Sequence, residues 1–138
     1  MEKICRNEKE TFKLAKKFAK TLKGGEIVLF YGDLGAGKTT FTKGVAKALK
    51  IKEPITSPTF TIVNEYHSGK IDLYHFDMYR LEDESEAFEI GIKDYFNKNG
   101  ICLIEWPERI INLLPKHYIK VNIDKLDDNT RRFLIENI

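Results

Sequence analysis

Cysteine is scarce in this sequence: Cys5 and Cys102 are the two present in 138 residues. One disulfide is formally possible. Cys102, however, lies inside the apolar run 101–104, which predicts a buried free thiol. No C-x-x-C spacing occurs, which excludes a zinc finger or ribbon. Apolar runs are short; none approaches the ~18 residues of a membrane-spanning helix. Residues 1–6 lack the apolar centre of a signal peptide. These absences predict a cytoplasmic, reduced protein with no membrane partner. Net charge is small as well. Lys and Arg total 23 against 21 Asp and Glu, leaving +2, too little for DNA binding by bulk electrostatics. Internal repeats, low-complexity stretches and linkers are missing.

What remains is ordinary globular material, 42% hydrophobic and 32% charged. The length predicts one domain over residues 1–138. Asn7 followed by Glu10 reads as a capping box. Phe12, Leu14, Ala15, Phe18, Ala19 and Leu22 then recur at helical spacing, and Gly24-Gly25 ends the pattern. Residues 27–30 are continuously apolar, as in a strand buried on both faces. A glycine-rich turn follows, then a second helix carrying Phe41, Val45, Ala46 and Leu49. Residues 59–66 and 71–77 alternate as strands around a turn at 67–70. Residues 82–89 and 92–96 are helix-prone, and 101–104 form another buried-type strand. Residues 118–123 and 132–135 read as a final strand pair. The fold class is α/β: a mixed sheet with a parallel centre and antiparallel additions, flanked by helices.

The strongest motif is Gly32-Asp33-Leu34-Gly35-Ala36-Gly37-Lys38-Thr39, which matches G-x-x-x-x-G-K-[ST]. At average composition chance supplies this match in roughly one chain in 200 of this length. Its setting is the one the mechanism needs, a buried strand before it and a helix after it. Glycines let backbone N–H groups converge on phosphate oxygens. The helix N-terminus adds partial positive charge. Lys38 then reaches the β- and γ-phosphates and the Thr39 hydroxyl ligates Mg²⁺.

Such a loop works with a carboxylate at the end of a neighbouring strand. Glu105 ends the apolar run 101–104, and Asp77 ends a less apolar strand. Either can hold the metal or orient the attacking water. Residues 56–61 are polar and could sense the γ-phosphate. His75 shares a strand with Asp77, so a role in the site is open. His67 and His117 read as turn and strand-start residues, and packing is the default for Trp106. No arginine-rich lid is visible. An Asn-Lys-x-Asp guanine motif is missing, which disfavours GTP.

Four blocks come in order: Gly32 to Thr40; Ser57-Pro58-Thr59-Phe60-Thr61; Tyr74-His75-Phe76-Asp77-Met78-Tyr79-Arg80-Leu81; and Leu103-Ile104-Glu105-Trp106-Pro107-Glu108. Together they resemble the TsaE family (also called YjeE), small bacterial ATPases of tRNA threonylcarbamoyladenosine biosynthesis. The resemblance implies a single P-loop ATPase domain that uses ATP and Mg²⁺. It implies work with TsaB and TsaD, and contact with tRNA through that complex. It also implies site roles. Gly35, Ala36, Gly37, Lys38, Thr39 and Thr40 would hold phosphates, and Thr39 and Glu105 the metal. Asp77 would be the essential acid and Trp106 would lie beside the nucleotide. Glu8 and Thr11, with Thr130 or Arg131, would contact the adenine end. The alternatives are a small P-loop kinase and a nucleotide-sensing switch with little turnover.

Overall fold

The computed structural model describes residues 1–32 and 37–138. The elements in chain order are β1 (Glu2–Cys5), α1 (Glu8–Ala19), β2 (Ile27–Tyr31), α2 (Lys38–Ala48), β3 (Val63–Tyr66) and β4 (Leu73–Asp77). They continue with α3 (Glu84–Glu89), α4 (Ile92–Phe96), β5 (Ile101–Glu105), a 3-10 segment (Pro107–Leu113), β6 (Ile119–Lys125) and β7 (Arg131–Asn137). Among the described residues seven strands form one sheet in the order β1-β7-β6-β2-β5-β4-β3. The central strands β6, β2, β5 and β4 are parallel. The antiparallel strands β7, β1 and β3 extend the two edges. This is the α/β class expected from the sequence, a mixed sheet with a parallel centre.

Strand alternation splits the core in two. Val28, Phe30, Leu73, Ile101 and Leu103 pack with Leu14, Ala15, Phe18, Phe41 and Val45 of α1 and α2. Ile27, Leu29, Tyr74, Phe76, Cys102 and Ile104 pack with Ala87, Ile92 and Ile110, from α3, α4 and the 3-10 segment. Strands covered by helices on both sides need apolar residues at every position, hence the continuous runs in β2 and β5. On the first side Phe41 is the hub, its ring 5.4 Å from those of both Phe30 and Phe133. Helix α1 starts as its sequence predicts, with the Glu10 N–H donating to Asn7 Oδ1 at 2.8 Å. Gly44 lets α1 and α2 touch: a Cβ there would lie 2.6 Å from Ala15 Cβ. Both cysteines are free and buried, and burial pushes the Cys102 thiol up to about 12.

Two elements depart from the sequence reading. Strand β1 was not expected; its partner β7 lies at the other end of the chain. Strand β3 begins at Val63 rather than at 59. The Ile62 N–H donates to Pro58 O at 2.7 Å, and Ile62 takes a left-handed backbone with φ 71°. Residues 58–62 are therefore a closed turn that breaks the alternation. Among the described residues no helix is long and apolar enough to cross a membrane.

Candidate functional site

Parallel pairing aligns the ends of β2, β5 and β4 at the edge where α2 begins. Glu105 is opposite Phe30 on one side and Asp77 on the other. Paired residues on adjacent strands share a face, so both carboxylates lie on the α1–α2 side. This edge opens into a cavity of about 420 Å³. Its walls include Glu8, Thr11, Gly37, Lys38, Thr39, Thr40, Asp77, Glu105, Trp106 and Arg131. The cavity thus gathers these ten of the site residues expected from the sequence. Gly35 and Ala36, expected to cradle phosphate, lie outside the described residues.

Gly37 caps α2 with φ 106°, a left-handed conformation that costs glycine nothing. The helix N-terminus, whose first N–H groups have no partner within the helix itself, so faces the cavity. Lys38 is buried, and its ammonium sits 4.6 Å from the centre of the Trp106 ring. Trp106 directly follows Glu105, and in a continuing strand it would point to the opposite face. Instead its backbone is left-handed, φ 57° and ψ 50°, which turns the indole back into the cavity. Non-glycine residues pay about 1–3 kcal/mol for such a conformation. The Tyr79 ring, 4.9 Å away, packs against the indole and helps hold it.

Asp77 is buried and both of its oxygens are engaged. Oδ1 accepts the Tyr79 N–H at 2.9 Å and Oδ2 accepts the Thr59 hydroxyl at 3.0 Å. Thr59 has one hydroxyl proton and gives it to Asp77. Ser57 must therefore donate in the 2.7 Å contact between Ser57 Oγ and Thr59 Oγ1. A chain of hydroxyls thus ties segment 57–61 to the end of β4. At its tip Phe60 is 81% exposed, with the Arg80 guanidinium 4.1 Å from the ring centre. Glu105 is held differently, its Oε2 lying 2.6 Å from Nε2 of the buried His75.

The far wall is built from the two chain ends. Helix α1 contributes Asn7, Glu8 and Thr11, and the β6–β7 turn contributes Asp128, Asn129 and Arg131. Asp127 Oδ1 accepts the Asn129 and Thr130 N–H groups and shapes that turn. Arg131 Nη1 donates to the Asp127 carbonyl at 2.9 Å, and its stem passes over Gly37. Of the two C-terminal candidates, Arg131 lines the cavity and Thr130 does not. Asn7, Asp128 and Asn129 also line the cavity, though no motif marks them as site residues. Asn7 reads as a helix cap, which it also is. The acidic turn between two apolar alternations was the available signal for Asp128 and Asn129.

The donor set fits a phosphate-borne Mg²⁺. Among the described residues no three His, Cys, Asp or Glu side chains gather into a self-sufficient metal site. What the cavity offers is a hydroxyl from Thr39 and carboxylate oxygens, all hard ligands. Mg²⁺ is commonly held by one or two carboxylates and completed by substrate phosphate and water.

A motif G-x-x-x-x-G-K-T between a buried central strand and a helix, with acids ending the neighbouring parallel strands, defines a P-loop nucleotide-binding protein. The family model described as "Threonylcarbamoyl adenosine biosynthesis protein TsaE" matches residues 5–133. The chain belongs to the TsaE family. It is 46% identical over 125 residues to the tRNA threonylcarbamoyladenosine biosynthesis protein TsaE of Bacillus subtilis, covering 91% of this chain and 78% of that one. The TsaE of Treponema pallidum is 38% identical over 135 residues, covering 98% and 99% of the two chains. Among solved structures, Bacillus subtilis YdiB superposes with a TM-score of 0.83 at 38% identity, over 96% of this chain and 82% of that one. The family name ties the chain to threonylcarbamoyladenosine biosynthesis.

Proposed function

We propose that this protein is a Mg²⁺-dependent ATP hydrolase of tRNA threonylcarbamoyladenosine biosynthesis, acting with TsaB- and TsaD-type proteins in the cytoplasm. The observation that carries the reading is the meeting of Lys38, Thr39, Asp77 and Glu105 in one cavity at the ends of β2, β5 and β4. Gly35, Ala36, Gly37, Lys38, Thr39 and Thr40 bind the phosphates. The Thr39 hydroxyl and Glu105 hold the metal, which neutralises charge on the phosphate oxygens when bound. Asp77 orients the attacking water and accepts its proton. Trp106 walls the nucleotide, while Glu8, Thr11 and Arg131 face its adenine end.

Hydrolysis by the isolated chain is slow in this account. Arg131 is the arginine lining the cavity among the described residues, and it is spent on the carbonyls of its own turn. An arginine finger can be worth 10³–10⁵ in rate. Segment 57–61 is hydrogen-bonded to Asp77 and carries an exposed phenyl ring, so a partner gripping that segment would act on the acid directly. The test is ATP hydrolysis with and without purified TsaB and TsaD. Phosphate release stimulated by the pair is expected. Fast turnover by the lone chain, unchanged on adding them, would contradict the proposal. Phosphate transfer to an acceptor would make the protein a kinase, and tight ATP binding without turnover under any condition would make it a switch.

A further inference from the structure

His75 is a polar side chain where the fold asks for an apolar one. It is 2% exposed, inside β4. Its neighbours on the same face, Leu73 and the paired Leu103, are apolar and fully buried. Its Nδ1 is buried and has no hydrogen-bond partner among the described residues. A leucine or phenylalanine would fill this place without stranding a ring nitrogen. Buried unpaired polar atoms are rare enough in native structures to call for a reason.

The reason is at the other nitrogen. Nε2 lies 2.6 Å from Glu105 Oε2, with both side chains largely buried. A carboxylate oxygen accepts, so the ring carries its proton on Nε2 and donates; the opposite tautomer would set two lone pairs face to face. The pairing is diagonal, since Glu105 is opposite Asp77 in the register, not His75. The glutamate therefore leans back along the strand to meet the ring. Its rotamers collapse toward one, with Oε2 occupied and Oε1 left for a cation. Asp77 needs no such help, because a backbone N–H and Thr59 already hold its two oxygens.

We propose that His75 is a positioning residue, whose Nε2–H fixes Glu105 so that the carboxylate meets a phosphate-bound Mg²⁺ in a single orientation. The proposal rests on the nucleotide-hydrolase reading above and adds to it a determinant of metal affinity. Hydrogen-bond partners behind metal ligands typically contribute 10- to 100-fold in metal affinity.

The test compares ADP binding by calorimetry in excess Mg²⁺ and in EDTA. The variants are His75→Phe, which keeps the ring and removes the donor, and His75→Gln, whose amide nitrogen can take the place of Nε2. Expected is unchanged binding in EDTA for both variants, and a 10- to 100-fold loss of the Mg²⁺-dependent tightening for His75→Phe. His75→Gln should recover most of that loss. A role in packing alone would instead weaken binding equally with and without metal, or favour the phenylalanine variant. Either result overturns the proposal. If His75→Phe does not fold, His75→Asn, whose shorter amide does not reach Glu105, carries the same expectation. In a Glu105→Gln background the His75 substitutions should add nothing further; an additive loss would show that His75 does not act through Glu105. Failure of the underlying reading looks different, because the parent protein itself would then bind ADP no more tightly in Mg²⁺ than in EDTA.

Discussion

Strands β4 and β5 carry two different molecules on their two faces. Toward α1 and α2 they present Leu73, His75 and Asp77, and Ile101, Leu103 and Glu105, apolar at the start and charged at the end. Toward α3, α4 and the 3-10 segment they present Tyr74 and Phe76, and Cys102 and Ile104, which stay in the core throughout. Neighbouring residues therefore answer to different demands. Ile104 is fully buried core, and Glu105 lines the cavity. The period of two allows this. One face can give up its last residues to chemistry while the other keeps its full apolar burial. The turn at Trp106 then brings one more residue across to the chemical side.

The two faces should differ most in stability. Ile104→Ala leaves a cavity in the apolar face and should cost about 2–5 kcal/mol, read by urea denaturation. ADP affinity of the remaining folded protein should not change. Its neighbour should behave in the opposite way. Glu105→Gln should leave the urea midpoint near the parent's and raise the Mg²⁺ needed for half-maximal activity by about 10- to 100-fold. Asp77→Asn should lower turnover while ATP binding stays near normal. Titrating Mg²⁺ and ATP for both variants separates the two acids, and swapped phenotypes would exchange their roles.

The smallest effect lies far from the cavity. The Tyr95 hydroxyl donates to Glu65 Oε2 at 2.6 Å. That bond pushes the phenol up to about 12 from its ordinary 10.0 and holds the Glu65 carboxyl below its ordinary 4.5. For the raised tyrosine, the stabilisation is complete below pH 10 and lost as pH climbs toward about 12. For the depressed glutamate it is present above pH 4.5 and lost as pH falls below that value. The pair is partly exposed, so its worth is about 1 kcal/mol or less. Tyr95→Phe should flatten both limbs of a stability-versus-pH curve and leave nucleotide binding unchanged.

How legible the chain was followed how local each signal is. The phosphate-binding motif, the first two helices and the apolar runs 27–30 and 101–104 announce themselves within a few residues. Glu105 and Asp77 could be named because an acid ends each strand. That they share an edge is a matter of register, set by pairing between segments 28 residues apart, which no local pattern shows. Strand β1 is short and mostly exposed, and its strand character comes from β7 at the far end of the chain. Left-handed backbones at Ile62 and Trp106 were also hidden. A β-branched residue and a residue before proline are both disfavoured there, and only the surrounding packing imposes it.

The α2 end of this sheet, as proposed, is an ATP site with Lys38 on the phosphates and Trp106 beside them. Trp106 is the sole tryptophan, so its emission reports this place alone. Titrating ATP in Mg²⁺ should give a saturable change for the parent. The Lys38→Ala curve should shift to about 10- to 100-fold higher ATP, the loss of one charge-assisted contact worth about 1.5–3 kcal/mol. A flat signal from the parent while calorimetry shows ATP bound, or superimposable curves for parent and Lys38→Ala, would contradict the account.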